Sequence, residues 1–295
     1  LAKYYVDLGI IDYDGLDDWQ HLINVFSDIN SYFENLQDEE ISANILYELA
    51  YFEWMLGNYE KCLEAQEKAI KLFKDLGHIY PAFRISSNKM RPLNKLGRED
   101  DMRKLEAELI EFISQNEDES VYGLIAVAMA NGYASSGRYA LAIEYYLKGI
   151  SVFEQNGDLT SLADAYDGLG VTYRNLVMYD KAAEVYEKLI ALLKQENKTH
   201  DLHDVYSQAS FSNYYIKNYD RAREYMELSL LVPNEQTRKY YLARQSSMEG
   251  QILKDQQEFA AAIPYLQKAL DGYIALGKKN GMPFMAMYTA ECYQK

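Results

Sequence analysis

The sequence predicts an all-α fold: a right-handed superhelical α-solenoid of about seven helix-turn-helix repeats. Three observations lead there. A motif returns every 40 residues without a slip. Apolar residues inside each unit recur at intervals of three and four, the period of an amphipathic helix. Only 5 prolines and 16 glycines interrupt the 295 residues.

Each unit is marked by an aromatic at its central turn. That column reads Trp19, Tyr59, Glu99, Tyr139, Tyr179, Tyr219 and Phe259. Three residues later stand Leu22, Cys62, Met102, Ala142, Ala182, Ala222 and Ala262, small enough in most units for two helices to cross closely. In the unit around Tyr179 the first stripe is Leu162, Ala165, Tyr166, Leu169, Tyr173 and Leu176. After a break at "VMYD" the second is Ala182, Ala183, Tyr186, Leu189, Ile190 and Leu193. Each unit is therefore two amphipathic helices of roughly 15 to 18 residues joined by a tight turn.

The segments between units ("KDLGHIYP", "EQNGDLTS", "KQENKTHD", "ALGKKNGMP") carry glycine or asparagine where helices end. Pro81 and Pro283 fall in first helical turns, where proline is tolerated. Pro92 lies inside the first helix of the Glu99 unit and is expected to bend or break it. Pro264 raises the same expectation in a later second helix. At the turn before Tyr179, Val177 stands where Gly57, Gly97 and Gly137 stand in other units. This turn either avoids a left-handed backbone or strains to hold one. Residues 282–295 read as a first helix without its partner. The chain reads as one solenoid over 1–295, a piece of something longer because no initiator methionine is present.

The net charge of −15 argues against direct contact with nucleic acid, which needs a basic footprint, and against an anionic membrane surface. No apolar run approaches a membrane span and no signal-peptide pattern opens the chain. Cys62 and Cys292 are far apart, which fits a reducing, cytoplasmic setting without a disulfide framework. Chemistry is sparse. There is no phosphate-binding glycine motif, and the glycines at Gly168 and Gly170 sit inside a helical pattern as packing residues. His200 and His203, with Asp201 and Asp204, make one HxxH spacing, read as a solvated helix start because zinc wants three or four ligands. Cys62 occupies the small-residue column and reads as a buried apolar group. No catalytic residue, metal or cofactor is expected.

The pattern resembles the tetratricopeptide repeat. In "DAYDGLGVTYRNLVMYDKAAEVYEKLIAL", Tyr166, Leu169-Gly170, Tyr173, Tyr179, Ala182 and Tyr186 fall at that family's spacings, in units longer than its usual 34 residues. The resemblance implies a concave surface lined by the first helices. Positions facing away from the partner helix are Tyr47, Tyr51 and Trp54, then Arg84, Arg91 and Asn94, then Asn131. They continue with Asp167, Arg174 and Asn175, then Gln208 and Tyr214, then Arg244 and Gln251. Arginines and side-chain amides can clamp a peptide main chain or a carboxylate. In similar peptide-binding repeats an asparagine after the small residue, here Asn131 after Ala130, holds the ligand backbone. The chain is similar to the sensor halves of bacterial regulators of the Rap, NprR, PlcR and maltose-regulator kinds. That resemblance implies a non-catalytic module with a peptide or protein partner, compatible with a homodimer. The alternative is a scaffold that organises a multi-protein complex.

Overall fold

The computed structural model describes residues 19–115, 119–196, 198, 202–232, 234–277 and 282–294, with Glu119 and Gln236 described in their backbone alone. His200, Asp201 and Pro233 lie outside the described residues, so the HxxH reading is not addressed. All regular structure among the described residues is α-helical.

The helices are α1 (Trp19–Asn35), α2 (Glu39–Met55), α3 (Tyr59–Asp75), α4 (Ile79–Asn88), α5 (Met90–Lys95), α6 (Glu99–Gln115), α7 (Glu119–Ser135) and α8 (Tyr139–Asn156). They continue as α9 (Leu159–Asn175), α10 (Tyr179–Gln195), α11 (Leu202–Tyr215), α12 (Tyr219–Ser229), α13 (Glu235–Asp255), α14 (Phe259–Ala275) and α15 (Met282–Tyr293). Helix starts at Trp19, Glu39, Tyr59, Ile79, Glu99, Glu119, Tyr139, Leu159 and Tyr179 are each 20 residues apart. The 40-residue repeat is thus a pair of near-equal steps.

The step length is set at the turns. Glycines with positive φ occupy Gly57, Gly77, Gly97, Gly137, Gly157 and Gly277. Around Gly57 the bonds Gly57 N–H to Trp54 O (3.0 Å) and Asn58 N–H to Glu53 O (2.9 Å) close a Schellman cap. Val177 makes the same pair of bonds, 2.9 Å each, to Arg174 O and from Met178 to Tyr173 O. Its φ is 61°, so the turn holds the left-handed backbone instead of avoiding it. Gln37, Lys217 and Gln257 do likewise at 57°, 61° and 63°. A β-branched residue there costs roughly 1–2 kcal/mol, and the two capping bonds on helix α9 offset it.

Proline has two outcomes. The first helix of the Glu99 unit is broken between α4 and α5 at Lys89. The break sits one residue after Asn88, whose carbonyl the Pro92 ring would crowd and whose hydrogen bond Pro92 cannot make. Pro264, by contrast, lies within α14, which runs unbroken from Phe259 to Ala275. The expected break is absent there, and the adjoining turns of the helix remain closed around the missing bond.

The chain divides into two compact units, Leu1–Ala165 and Tyr166–Lys295, the division falling between two residues of α9. In the first, α2 packs on α3 and α7 on α8, while α4 meets α7. Its core includes Leu22, Phe26, Ile45, Phe52, Phe73 and Ile85. In the second, α11 packs on α12, α13 on α14 and α14 on α15. Contacts between helices are close where small residues stand. A Cβ on Gly170 would lie 2.8 Å from the Tyr186 ring, and one on Gly250 would lie 2.7 Å from Leu266. Ala142, Ala182, Ala222 and Ala262 are all fully buried.

Two stability tests follow from these turns and crossings. Val177→Gly is expected to raise the denaturant midpoint by about 1 kcal/mol equivalent, because Val177 is 67% exposed and gives up little burial. Gly137→Val should lower it comparably, since a Cβ there meets nothing within 4 Å and the cost is in the backbone. Unchanged midpoints in both would show that the turns carry no strain. Ala182→Phe, at a fully buried crossing, should destabilise by about 1–3 kcal/mol, and an unaffected melt would contradict the packing of α10.

Candidate functional site

In the first unit the residues singled out from the sequence lie on α2, α4, α5 and α7. Tyr47, Tyr51 and Trp54 follow one another at three- and four-residue steps on α2, so they share a face. Together with Arg91 they line a cleft of roughly 310 Å³. Arg84 does not line it but places its guanidinium over the Tyr47 ring at 5.7 Å. The Tyr47 hydroxyl accepts a 2.9 Å hydrogen bond from Asn88 Nδ2, at the end of the broken helix. Trp54 packs against the turn aromatic Tyr59, centroids 5.1 Å apart.

The sequence reading did not include Glu48, Cys62, Gln66, Asn88 and Pro92, which complete the cleft wall. Gln66 could have been found. It stands in a column that otherwise reads Phe26, Glu106, Tyr146, Tyr186, Met226 and Leu266, mostly bulky and apolar. Asn88, Arg91 and Pro92 are spaced i, i+3 and i+4, a spacing that puts side chains on one face and could have pointed to the first and last of them. Burial raises the Glu48 carboxyl and the Tyr47 hydroxyl above their usual ranges. The Cys62 thiol is pushed up to about 12, first by burial and then by Glu53, so it is a thiol at neutral pH and not a nucleophile.

Asn131 and Asn94 are structurally engaged. Asn131 Oδ1 accepts from the Tyr146 hydroxyl at 2.6 Å and from Arg91 Nη2 at 3.5 Å. Asn94 Nδ2 donates to Ser135 O at 2.9 Å, tying α5 to α7. The Arg91–Asn131 and Asn94–Ser135 bonds join positions about one repeat apart, so first helices of successive hairpins are laced side by side.

In the second unit, Asp167, Arg174 and Asn175 lie on α9, Gln208 and Tyr214 on α11, and Arg244 and Gln251 on α13. Arg174 Nη1 donates to Gln208 Oε1, and its guanidinium stacks over Phe211 at 4.7 Å. Phe211 belongs to an aromatic group with Tyr215 (4.7 Å) and Tyr179, the last stacked on Tyr215 at 4.2 Å. Sequence reasoning missed Phe211 and Tyr215, although Phe211 stands in the 40-residue column of Tyr51, Arg91, Asn131 and Gln251. Tyr214 donates to Asp255 Oδ2 at 2.9 Å. The hydroxyl is raised above its usual range, first by burial and then by that carboxylate. Arg244 and Gln251 are held on their own helix, Arg244 against Tyr240 and Gln251 donating to Ser247. Asp167 and Asn175 are exposed.

Among the described residues no group of three or more histidine, cysteine or carboxylate side chains is placed to hold a metal. No described helix is long and apolar enough to cross a membrane. His203 approaches Asp204 at 4.0 Å and meets the edge of Tyr241.

Asn131→Ala is expected to lower stability by about 1–3 kcal/mol, because the fully buried Tyr146 would lose its acceptor. Replacing both, as Asn131→Ala with Tyr146→Phe, should recover part of that loss in a thermal melt. Without such recovery, Asn131 acts by some contact other than this bond.

Comparison with known proteins follows the geometry. Family models described as tetratricopeptide repeat match residues 123–195 and 43–76, so the chain carries these repeats there. Among curated proteins no sequence relative matches. A solved structure of BtubC from P. vanneervenii is similar at 15% identity and TM-score 0.54, covering 90% of this chain and 94% of that one. A Rap protein complexed with competence and sporulation factor is similar at 12% identity and TM-score 0.56, covering 99% and 91%. A signal-transduction ATPase with a tetratricopeptide repeat sensor, from Pyrococcus horikoshii, is similar at 15% identity and TM-score 0.60; it covers 94% of this chain and 47% of that one. At these identities the likeness is one of fold.

Proposed function

We propose that this chain is a non-catalytic binding module for a peptide or partner protein, serving as the sensing part of a regulator. The ligand lies on the faces of the first helices. The observation that carries this reading is the cleft of the first unit, where Tyr47, Tyr51 and Trp54 meet the Arg91 guanidinium in roughly 310 Å³. Apolar walls with a few converging polar groups are what a small-ligand or peptide site requires. The second unit offers a comparable surface on α9 and α11, with Arg174 and Asn175 beside stacked aromatics. Arginine and tyrosine side chains of this kind dominate recognition surfaces because they bury large area and hydrogen-bond at once.

The fold likeness to a Rap protein complexed with competence and sporulation factor, and to a repeat sensor joined to a signalling ATPase, supports the sensing role. The net charge of −15 directs the partner away from nucleic acid and toward a neutral or basic one. A scaffold role, the alternative, is favoured by exposed Phe284 and Met287, neighbours three residues apart on α15, apolar surface of the kind that meets another protein. A single solenoid over the whole chain would serve either role.

The test is selection from a random peptide library on immobilised protein. Wild type should enrich a peptide family. Trp54→Ala with Arg91→Ala should lose about tenfold or more in affinity for it while still melting cooperatively, at a midpoint lowered by the lost contacts to Tyr59 and Asn131. Enrichment that persists unchanged in the double variant would move the ligand off this face, and the absence of any enriched peptide would remove the sensing reading.

A further inference from the structure

The cleft of the first unit is a place where the repeat lacks one of its own side chains. In the unit three repeats later, Tyr186 fills the space beside Gly170, its ring 2.8 Å from where a Cβ would stand. Tyr186 is fully buried and feels Arg174 and Asp167 at its hydroxyl. Moved back three repeats of 40 residues, those positions are Gln66 for Tyr186, Ala50 for Gly170, Trp54 for Arg174 and Tyr47 for Asp167. All four line the cleft. The cavity therefore occupies the position of an aromatic ring, and a shorter side chain stands at its base.

That side chain is not satisfied. Gln66 is 5% exposed and its Oε1 has no hydrogen-bond partner. A buried acceptor without a donor is destabilising, and a ligand supplying the donor recovers that loss. At the rim, Arg91 is exposed and offers a cation to a carboxylate or carbonyl.

Resting on the peptide-binding reading above, we propose that this cleft is a specificity pocket for one aromatic side chain carrying a hydrogen-bond donor. A tryptophan or tyrosine of the bound peptide takes the place of the absent repeat tyrosine. Its ring lies among Tyr47, Trp54 and Pro92, and its N–H or O–H donates to Gln66. The neighbouring peptide carbonyl or carboxylate meets Arg91.

The probes are N-acetyl-L-tryptophan, N-acetyl-L-tyrosine and N-acetyl-L-phenylalanine, titrated against the full chain by ligand-observed NMR. At least one of the first two should bind about fivefold or more tightly than the phenylalanine compound, which lacks a side-chain donor. Gln66→Leu should erase that preference. It should fold, because leucine already occupies the equivalent position at Leu266. Gln66→Tyr should refill the cavity, bind none of the probes and melt no lower than wild type. Equal affinity for all three probes, no binding of any, or a preference that survives Gln66→Leu would overturn the pocket. If library peptides are still enriched and still depend on Trp54 and Arg91, the pocket alone has failed. If no peptide is enriched, the binding reading has failed with it.

Discussion

Everything in this chain depends on the approach of two helices at a residue without bulk. One hairpin of this repeat cannot bury its own apolar stripe, so each second helix must press against its first and against the next unit. The approach is close because Gly170, Gly250 and the alanines at Ala142, Ala182, Ala222 and Ala262 leave nothing between the helices but the neighbour's side chain. Interiors of this density do not tolerate an added methylene, so the spacing of small residues dictates where the helices cross. The turns keep that register. The turns at Gln37, Gly57, Gly77, Gly97, Gly137, Gly157, Val177, Lys217 and Gln257 each pass through a residue in the left-handed region, and the following helix begins two residues later.

The exceptions show what the register is worth. Val177, Lys217 and Gln257 hold a backbone that glycine would hold at less cost. α12 stops at Ser229 and α13 starts early at Glu235, yet the next helix begins at Phe259, back on the pattern. Local strain is accepted so that distant crossings stay aligned. The broken first helix at Lys89 is a third case, and residues from both sides of the break, Asn88 and then Arg91 and Pro92, line one cleft.

Polar groups on the first helices have two duties. Asn131, Asn94 and Tyr214 are engaged with the neighbouring repeat, each bond spanning about 40 residues of sequence. They lace successive hairpins and are poor candidates for free ligand contacts. Arg91 and Trp54 remain at the cleft. Surface ion pairs such as Arg103 with Asp100 add little by comparison, being highly exposed.

The sequence by itself determined the helices, their length, their pairing and the buried columns, because period and small-residue spacing are local facts that every unit repeats. It also put Tyr47, Tyr51 and Trp54 on one side of a single helix, since position on a helix follows from spacing alone. The tertiary structure decided what repetition could not. It decided that Val177 holds a left-handed turn, because the capping bonds to Arg174 and Tyr173 come from the rest of the helix end. It separated Pro92, which breaks its helix, from Pro264, which does not. And it opened the cleft at Gln66, where a side chain too short for its column leaves a space that only the packing of α2, α3, α4 and α5 together could define.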